Sequence, residues 1–264
     1  MSKYWAVFKI TVRNWLEYTW DNTIVLSRTI IYFLALYYLW TTVFAKQQNL
    51  FGYSLATMLT YVFVSFAIRN FVLSTRVDQI SDSIAHGEFF SFLLRPISII
   101  GYWLSLDLAY KIFDLALAIV ALGVIYLILR PTLVFNITPF SATAFLAILI
   151  LCSLIYFFLM LSVALTAFWS QTTWGFQFAL SLLIEFASGL FFPIDVLPTT
   201  LAAILKYTPF PYMIWLPANI LTGRIDQAQI IQGLGTSVVW TLMLGVFVWA
   251  LWRKGIRNYS AEGG

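Results

Sequence analysis

The chain has 264 residues, 61% of them hydrophobic and 10% charged, with a mean hydropathy of +0.88. A soluble domain carries about 25% charged residues, so the composition excludes an ordinary soluble fold and places the chain in a membrane. The net charge of +4 requires no nucleic acid and suits a rim facing an anionic leaflet. A single cysteine, Cys152, excludes an internal disulfide and a zinc cluster. A single histidine, His86, makes a histidine-based metal site implausible.

In chain order, residues 1–22 are expected to form an interfacial amphipathic helix. Trp5, Phe8, Val12, Trp15 and Leu16 recur at helical spacing, with Lys9, Arg13 and Glu17 on another face. The start lacks the short basic region and apolar core of a secretory signal. Six spanning helices are expected after it, near Ile24–Phe44, Tyr53–Val72, Trp103–Leu129, Ser141–Phe168, Trp174–Phe192 and Gly233–Trp252. From Pro131 to Ile184 there is no Asp, Glu, Lys or Arg. At about 20 residues per crossing, that run holds one full span and starts another. A transmembrane barrel would instead alternate in segments of about 10 residues. The expected fold is an all-α polytopic membrane protein, one transmembrane domain over residues 1–264, with no internal repeat.

Lys and Arg placement sets the expected orientation. With the N-terminus in the cytoplasm, Lys3, Lys9, Arg13, Arg28, Arg69, Arg76, Arg95, Arg253, Lys254 and Arg257 lie inside. Lys46, Arg130, Lys206 and Arg224 lie outside. Counting Arg28 and Arg69 as inner helix ends is a judgement; the inward bias stands without them. Both termini are therefore expected in the cytoplasm.

Two connecting segments stand out. Between the second and third spans, residues 74–98 contain Ile80 and Ile84, four apart on one face of a short helix that Gly87 can end in a left-handed conformation. An apolar stretch from Phe89 follows, too short to span, and Arg95-Pro96 closes it. Such a helix can dock in a partner's groove or lie on lipid. Between the fifth and sixth spans, residues 189–225 hold five of the eight prolines: Pro193, Pro198, Pro209, Pro211 and Pro217. Each removes a backbone donor and restricts the residue before it. The segment is nonetheless apolar, and irregular backbone in a membrane needs protein or a wet cavity against it. A path for something is expected there, rather than a mere anchor.

Charges inside spans are functional candidates by default. Asp107, Lys111 and Asp114 share a face at i, i+4 and i+7 and can pair; they are expected as a structural cluster supporting the docking loop. Glu185 has no charged residue within its own span. It is expected in a translocation path or dimer interface with Gly189, Phe192 and Pro193, the alternative being a protonated carboxyl bonded to a neighbouring helix. Asp195 is expected to cap a short outer helix.

Here the sequence resembles a family. Ile80-Ser81-x-x-Ile84-x-x-Gly87, then Leu94-x-Pro96, looks like the coupling-helix region of type-2 ATP-binding-cassette (ABC) exporter permeases. Gly189-Leu-Phe-Phe-Pro193, Leu197-Pro198, Pro209, Pro211-Tyr212 and Gly223-Arg224 resemble that family's segment between its fifth and sixth helices. The resemblance implies half of a membrane-spanning unit in the cell's inner (plasma) membrane, paired with an identical or related permease. Two ATPase subunits would dock on the coupling helices, with Ile80, Ser81, Ile84, Gly87, Glu88, Arg95 and Pro96 as the coupling residues. It also implies short re-entrant helices at the outer side, formed by residues 189–225. No Gly-x-x-x-x-Gly-Lys-Ser/Thr loop occurs, so ATP and Mg would be bound on the partner ATPase and no cofactor by this chain. Two other readings compete. An ion-coupled secondary transporter would need paired broken helices and a midplane ion site. An intramembrane lipid enzyme would need convergent catalytic groups.

Overall fold

The computed structural model describes residues 2–17, 19–47, 49–94, 98–170 and 172–259. The chain opens with α1 (Ser2–Glu17) and α2 (Thr19–Phe44), followed by a small antiparallel ribbon of β1 (Asn49–Leu50) and β2 (Tyr53–Ser54). Phe51 and Gly52 both take positive φ at its tip, the backbone of a tight two-residue hairpin. Next come α3 (Leu55–Val72), α4 (Asp78–Ala85), α5 (Phe90–Leu93), α6 (Ile99–Leu129) and α7 (Pro139–Ala164), which tightens into a 3-10 turn at Leu165–Phe168. After α8 (Trp174–Ala187) the chain makes a 3-10 turn at Ile194–Val196 and three short helices. These are α9 (Thr199–Lys206), α10 (Phe210–Met213) and α11 (Trp215–Thr222), and they lead into α12 (Gln227–Asn258).

The long helices start where the sequence supplies caps. Ser54 accepts from Thr57 N at 3.2 Å and Ser98 from Gly101 N at 3.4 Å. Thr138 with Ser141, and Asp226 with Gln229, form reciprocal capping boxes at the heads of α7 and α12. Pro139 sits in the first turn of α7, where its missing N–H costs nothing.

Among the described residues, four helical stretches are long and apolar enough to cross a membrane: Leu55–Val72, Ile99–Leu129, Pro139–Phe168 and Gln227–Arg257. The chain is an all-α polytopic membrane protein. The expected first span lies within α2. The expected fifth span, Trp174–Phe192, is not one continuous helix. Its helix, α8, stops at Ala187 after 14 residues, about 21 Å at 1.5 Å per residue, against a hydrocarbon core of about 30 Å. Gly189 at φ +87° ends it, turning the chain before the first proline.

The bundle has two distinct ends. At one, which we term the loop end, α4 lies beside the C-terminal turn of α7, and its Ile80 borders one apolar space with Val248 and Trp252 of α12. At the other, the proline end, the β-ribbon, residues 130–138 and α9–α11 meet; Asn136 N donates to Leu221 O at 3.1 Å. Between them Phe33, Phe66, Ile148, Phe157 and Ile184 are fully enclosed. The Phe33 and Phe66 rings meet edge-on at 5.9 Å. The amphipathic α1 packs along α6, and the Tyr4 hydroxyl accepts from Ser98 N at 3.2 Å. The side chains of Trp15, Leu16 and Glu17, expected on its two faces, lie outside the described residues.

Candidate functional site

At the loop end, α4 presents its apolar side inward. Ile80 and Ile84 are buried, and Ile80 shares a small apolar space with Trp103, Leu161, Leu165 and Trp252. The apolar face that the sequence left to a partner's groove or to lipid is packed within the chain. The chain's own α7 and α12 already cover it, because two isoleucines a turn apart gain more from a protein core than from water. Ser81 is also buried; its hydroxyl donates to Asp78 O at 2.7 Å and accepts from Gln177 Nε2 of α8 at 3.0 Å. The exposed side carries Asp78, Gln79, Asp82 and Ala85, and His86 and Glu88 just beyond the helix are exposed as well.

Gly87 follows at φ +76°, a conformation glycine adopts without a Cβ penalty. The chain then doubles back, with Phe89 N donating to Ser83 O at 2.9 Å. The Phe89 ring is fully buried and lies 5.7 Å from Trp252, 5.9 Å from Tyr259 and 6.0 Å from Phe168. A Cβ on Gly255 would run into the Phe168 ring, so glycine at that position lets the cluster close. Phe89 was not singled out from sequence, where it reads as one aromatic in an apolar run. Arg95 and Pro96, expected to close this loop, lie outside the described residues.

Deeper in the bundle, α3 ends against α6. Lys111 Nζ donates to the terminal carbonyls of Phe71 at 3.3 Å and Val72 at 3.1 Å, and to Ser74 O. It also lies 3.3 Å from Asp107 Oδ2. A cation over the last carbonyls of a helix satisfies orphan acceptors and opposes the negative end of the dipole. Asp114 accepts from the Ser74 hydroxyl at 2.5 Å and lies 3.6 Å from Arg76. The Arg76 guanidinium sits 4.6 Å over the Tyr110 ring. All three α6 charges are buried.

Glu185 has a charged partner on another helix. Arg69 of α3 donates to Glu185 Oε1 through Nε at 3.0 Å and through Nη2 to the same oxygen. Glu185 thus bonds a neighbouring helix through a charged partner, and Arg69, in the last turn of α3 as its helix-end reading had it, is buried. A cavity of about 340 Å³ opens between α4, α7 and α8, bordered by Arg76, Asp78, Tyr156, Gln177 and Ser181. Ser181 stands one turn before Glu185.

At the proline end, the Tyr61 hydroxyl donates to Gly189 O at 2.6 Å and Trp215 N donates to Ser188 O at 2.9 Å. The break after α8 is thus bonded to α3 and α11. Pro193 is buried, while Phe192 is partly exposed with its ring 6.1 Å from Trp40. Asp195 caps no helix; α9 starts after Pro198 with no side-chain cap. The Asp195 carboxylate instead accepts from the Tyr53 hydroxyl at 2.8 Å and the Trp215 indole at 3.1 Å. Arg224 lies 3.4 Å over the Tyr53 ring and donates to Gly52 O at 2.5 Å, tying the β-ribbon to the end of α11.

An inward-locked helix at one end and a bonded, proline-broken return at the other match the order of the two sequence motifs. The family model described as ABC-2 family transporter protein matches residues 30–263. The chain belongs to the ABC-2 transporter family. It is therefore a multi-pass membrane permease of an ABC system. ABC-2 permeases are normally non-catalytic membrane subunits, and the family implies association with an ABC ATPase. Searches of curated proteins and of solved structures found no match to this ABC-2 permease.

Proposed function

We propose that this ABC-2 permease forms half of the translocation unit of an exporter and receives the ATPase stroke through α4. Two ATPase subunits, holding ATP and Mg, serve a pair of permeases, this chain with an identical or related one. The placement of α4 carries the reading. Its inner face is held by Ile80, Ile84, Ser81 and the Phe89 cluster, so a push on it reaches α7, α8 and α12 without a flexible joint. Its outer face, with Asp78 and Asp82, and Glu88 in the turn after it, suits a basic groove on a partner. The cavity between α4, α7 and α8 is the proposed inner mouth of the path. The bonded break at Gly189, with α9–α11, forms the outer closure as short re-entrant helices. The surplus of Lys and Arg at the loop end supports both termini in the cytoplasm of a cell whose plasma (inner) membrane holds the protein. The Arg69 partner of Glu185 takes away the lone carboxylate on which an ion-coupled mechanism would rest.

The test is co-purification. The tagged chain, gently extracted from its native membrane, is expected to bring down an ATPase in near-equal amount. Reversing charge on the exposed face of α4 (Asp82→Arg with Glu88→Arg) is expected to release that ATPase without lowering the thermal midpoint of the permease. Undiminished ATPase recovery with the reversed pair would refute docking through α4.

A further inference from the structure

We propose that the groove between α12 and the α9–α11 segment is a binding site for one anionic phospholipid of the surrounding bilayer. The groove encloses about 570 Å³. One wall is a single stripe of α12: Gln229, Gln232, Thr236, Trp240 and Met243 lie at i, i+3, i+7, i+11 and i+14, which helical spacing places on one face. The stripe changes character with depth. Its first three members are polar and the last two mainly apolar, so the groove runs from hydrogen-bonding groups at the proline end to hydrocarbon-like lining within the bundle. Trp215 forms part of the opposite wall, and an indole beside a polar mouth suits the headgroup level of a bilayer.

Charge narrows the occupant. Lys206, the last residue of α9, is the one charged side chain among the described residues lining the groove. Its carbonyl accepts from the Tyr212 hydroxyl at 3.0 Å, which anchors the end of α9 over the mouth. Two carboxylates stand near the lining: Asp195 borders a separate cavity that Lys206 also lines and is engaged by Tyr53 and Trp215, and Asp226 caps α12, accepting from Gln229 N at 2.7 Å. A cation at the polar mouth, no acid in the lining and an apolar floor fit a phosphate-bearing head with a hydrocarbon tail.

The surroundings agree. α9 has no buried residue, yet Leu201 and Ile204 are large, apolar and exposed. Exposed apolar side chains of this kind suit contact with lipid, and they stand on the same short helix as Lys206. This site stands on the membrane placement of the chain and is independent of docking through α4.

Native mass spectrometry of the full chain, released from mild detergent containing equal phosphatidylglycerol and phosphatidylcholine with matched chains, tests the site. The wild-type protein is expected to keep one phosphatidylglycerol over phosphatidylcholine by about tenfold, the scale of one charge-assisted bond. Lys206→Gln is expected to bring the two lipids to parity, and Lys206→Arg to keep the preference. Val239→Trp, which fills the groove from an exposed position, is expected to remove the retained lipid. All of these side chains are exposed, so thermal midpoints should match wild type. No preference in the wild type, or full preference in Lys206→Gln, would overturn the proposal. Undiminished lipid in Val239→Trp would overturn it as well, because the lipid would then sit elsewhere.

Discussion

Glu185 and Arg69 illustrate what a buried pair demands of its members. Desolvating both charges offsets much of their attraction, but removing one leaves the other buried without a counter-charge, at about 3–5 kcal/mol. Glu185→Leu is therefore expected to lower the thermal midpoint of the purified chain markedly, as read by a fluorescence thermal-shift assay. Arg69→Met combined with Glu185→Leu is expected to recover most of that loss. Transport by the double variant then separates roles: recovered stability with lost transport would place the pair on the path, and recovery of both would make it a structural clasp. The pair was half legible in the sequence. Glu185 stood out because charge is rare in a span, whereas Arg69 lies 116 positions away and reads locally as a snorkelling helix end. Asp107 and Lys111 were legible as a pair because they sit four apart on one helix. Their bond to the end of α3 was not, since carbonyl acceptors leave no mark in a sequence.

Elements that break carry the next lessons. α4 was legible as a short helix with an apolar face, but which way that face turns depends on α7 and α12, which only tertiary packing brings alongside. Ile84→Asp is accordingly expected to destabilise the permease itself, by burying a carboxylate without a partner. Thermal-shift and size-exclusion measurements on this variant should differ from those on the exposed-face variant Asp82→Arg, which is expected to behave as wild type in both. The end of α8 gives a second contrast. The glycine at position 189 takes a left-handed φ, and an added Cβ would meet the Tyr61 hydroxyl at 2.9 Å and Trp215 Cβ at 3.0 Å. Gly189→Ala is expected to cost about 1–3 kcal/mol through strain. Tyr61→Phe, which deletes one buried hydrogen bond, is expected to cost about 1 kcal/mol; comparing the two midpoints checks the order. The prolines drew attention to this segment, but the helix had already ended at a glycine four residues before the first of them.

For the molecule as a whole, composition alone was sufficient to place the chain in a membrane, because 10% charge over 264 residues leaves no polar coat for a soluble domain. Orientation is the property to test at this scale. In a Cys152→Ser background, His86→Cys at the loop end and Tyr207→Cys at the proline end are both on exposed positions. A membrane-impermeant maleimide is expected to label Tyr207→Cys in intact cells and His86→Cys only after permeabilisation; the reverse pattern would invert the topology. The seat of Lys111 has a further consequence, for how the protein is made. The lysine follows the carbonyl of Val72 by 39 residues, so at about 5–20 residues per second α3 leaves the ribosome about two to eight seconds before its cap exists. During that interval the nascent helix has open acceptors at its buried end. α3 and α6 are thus a unit of biogenesis, and a chain arrested between them holds a helix that the insertion machinery must shelter until α6 arrives.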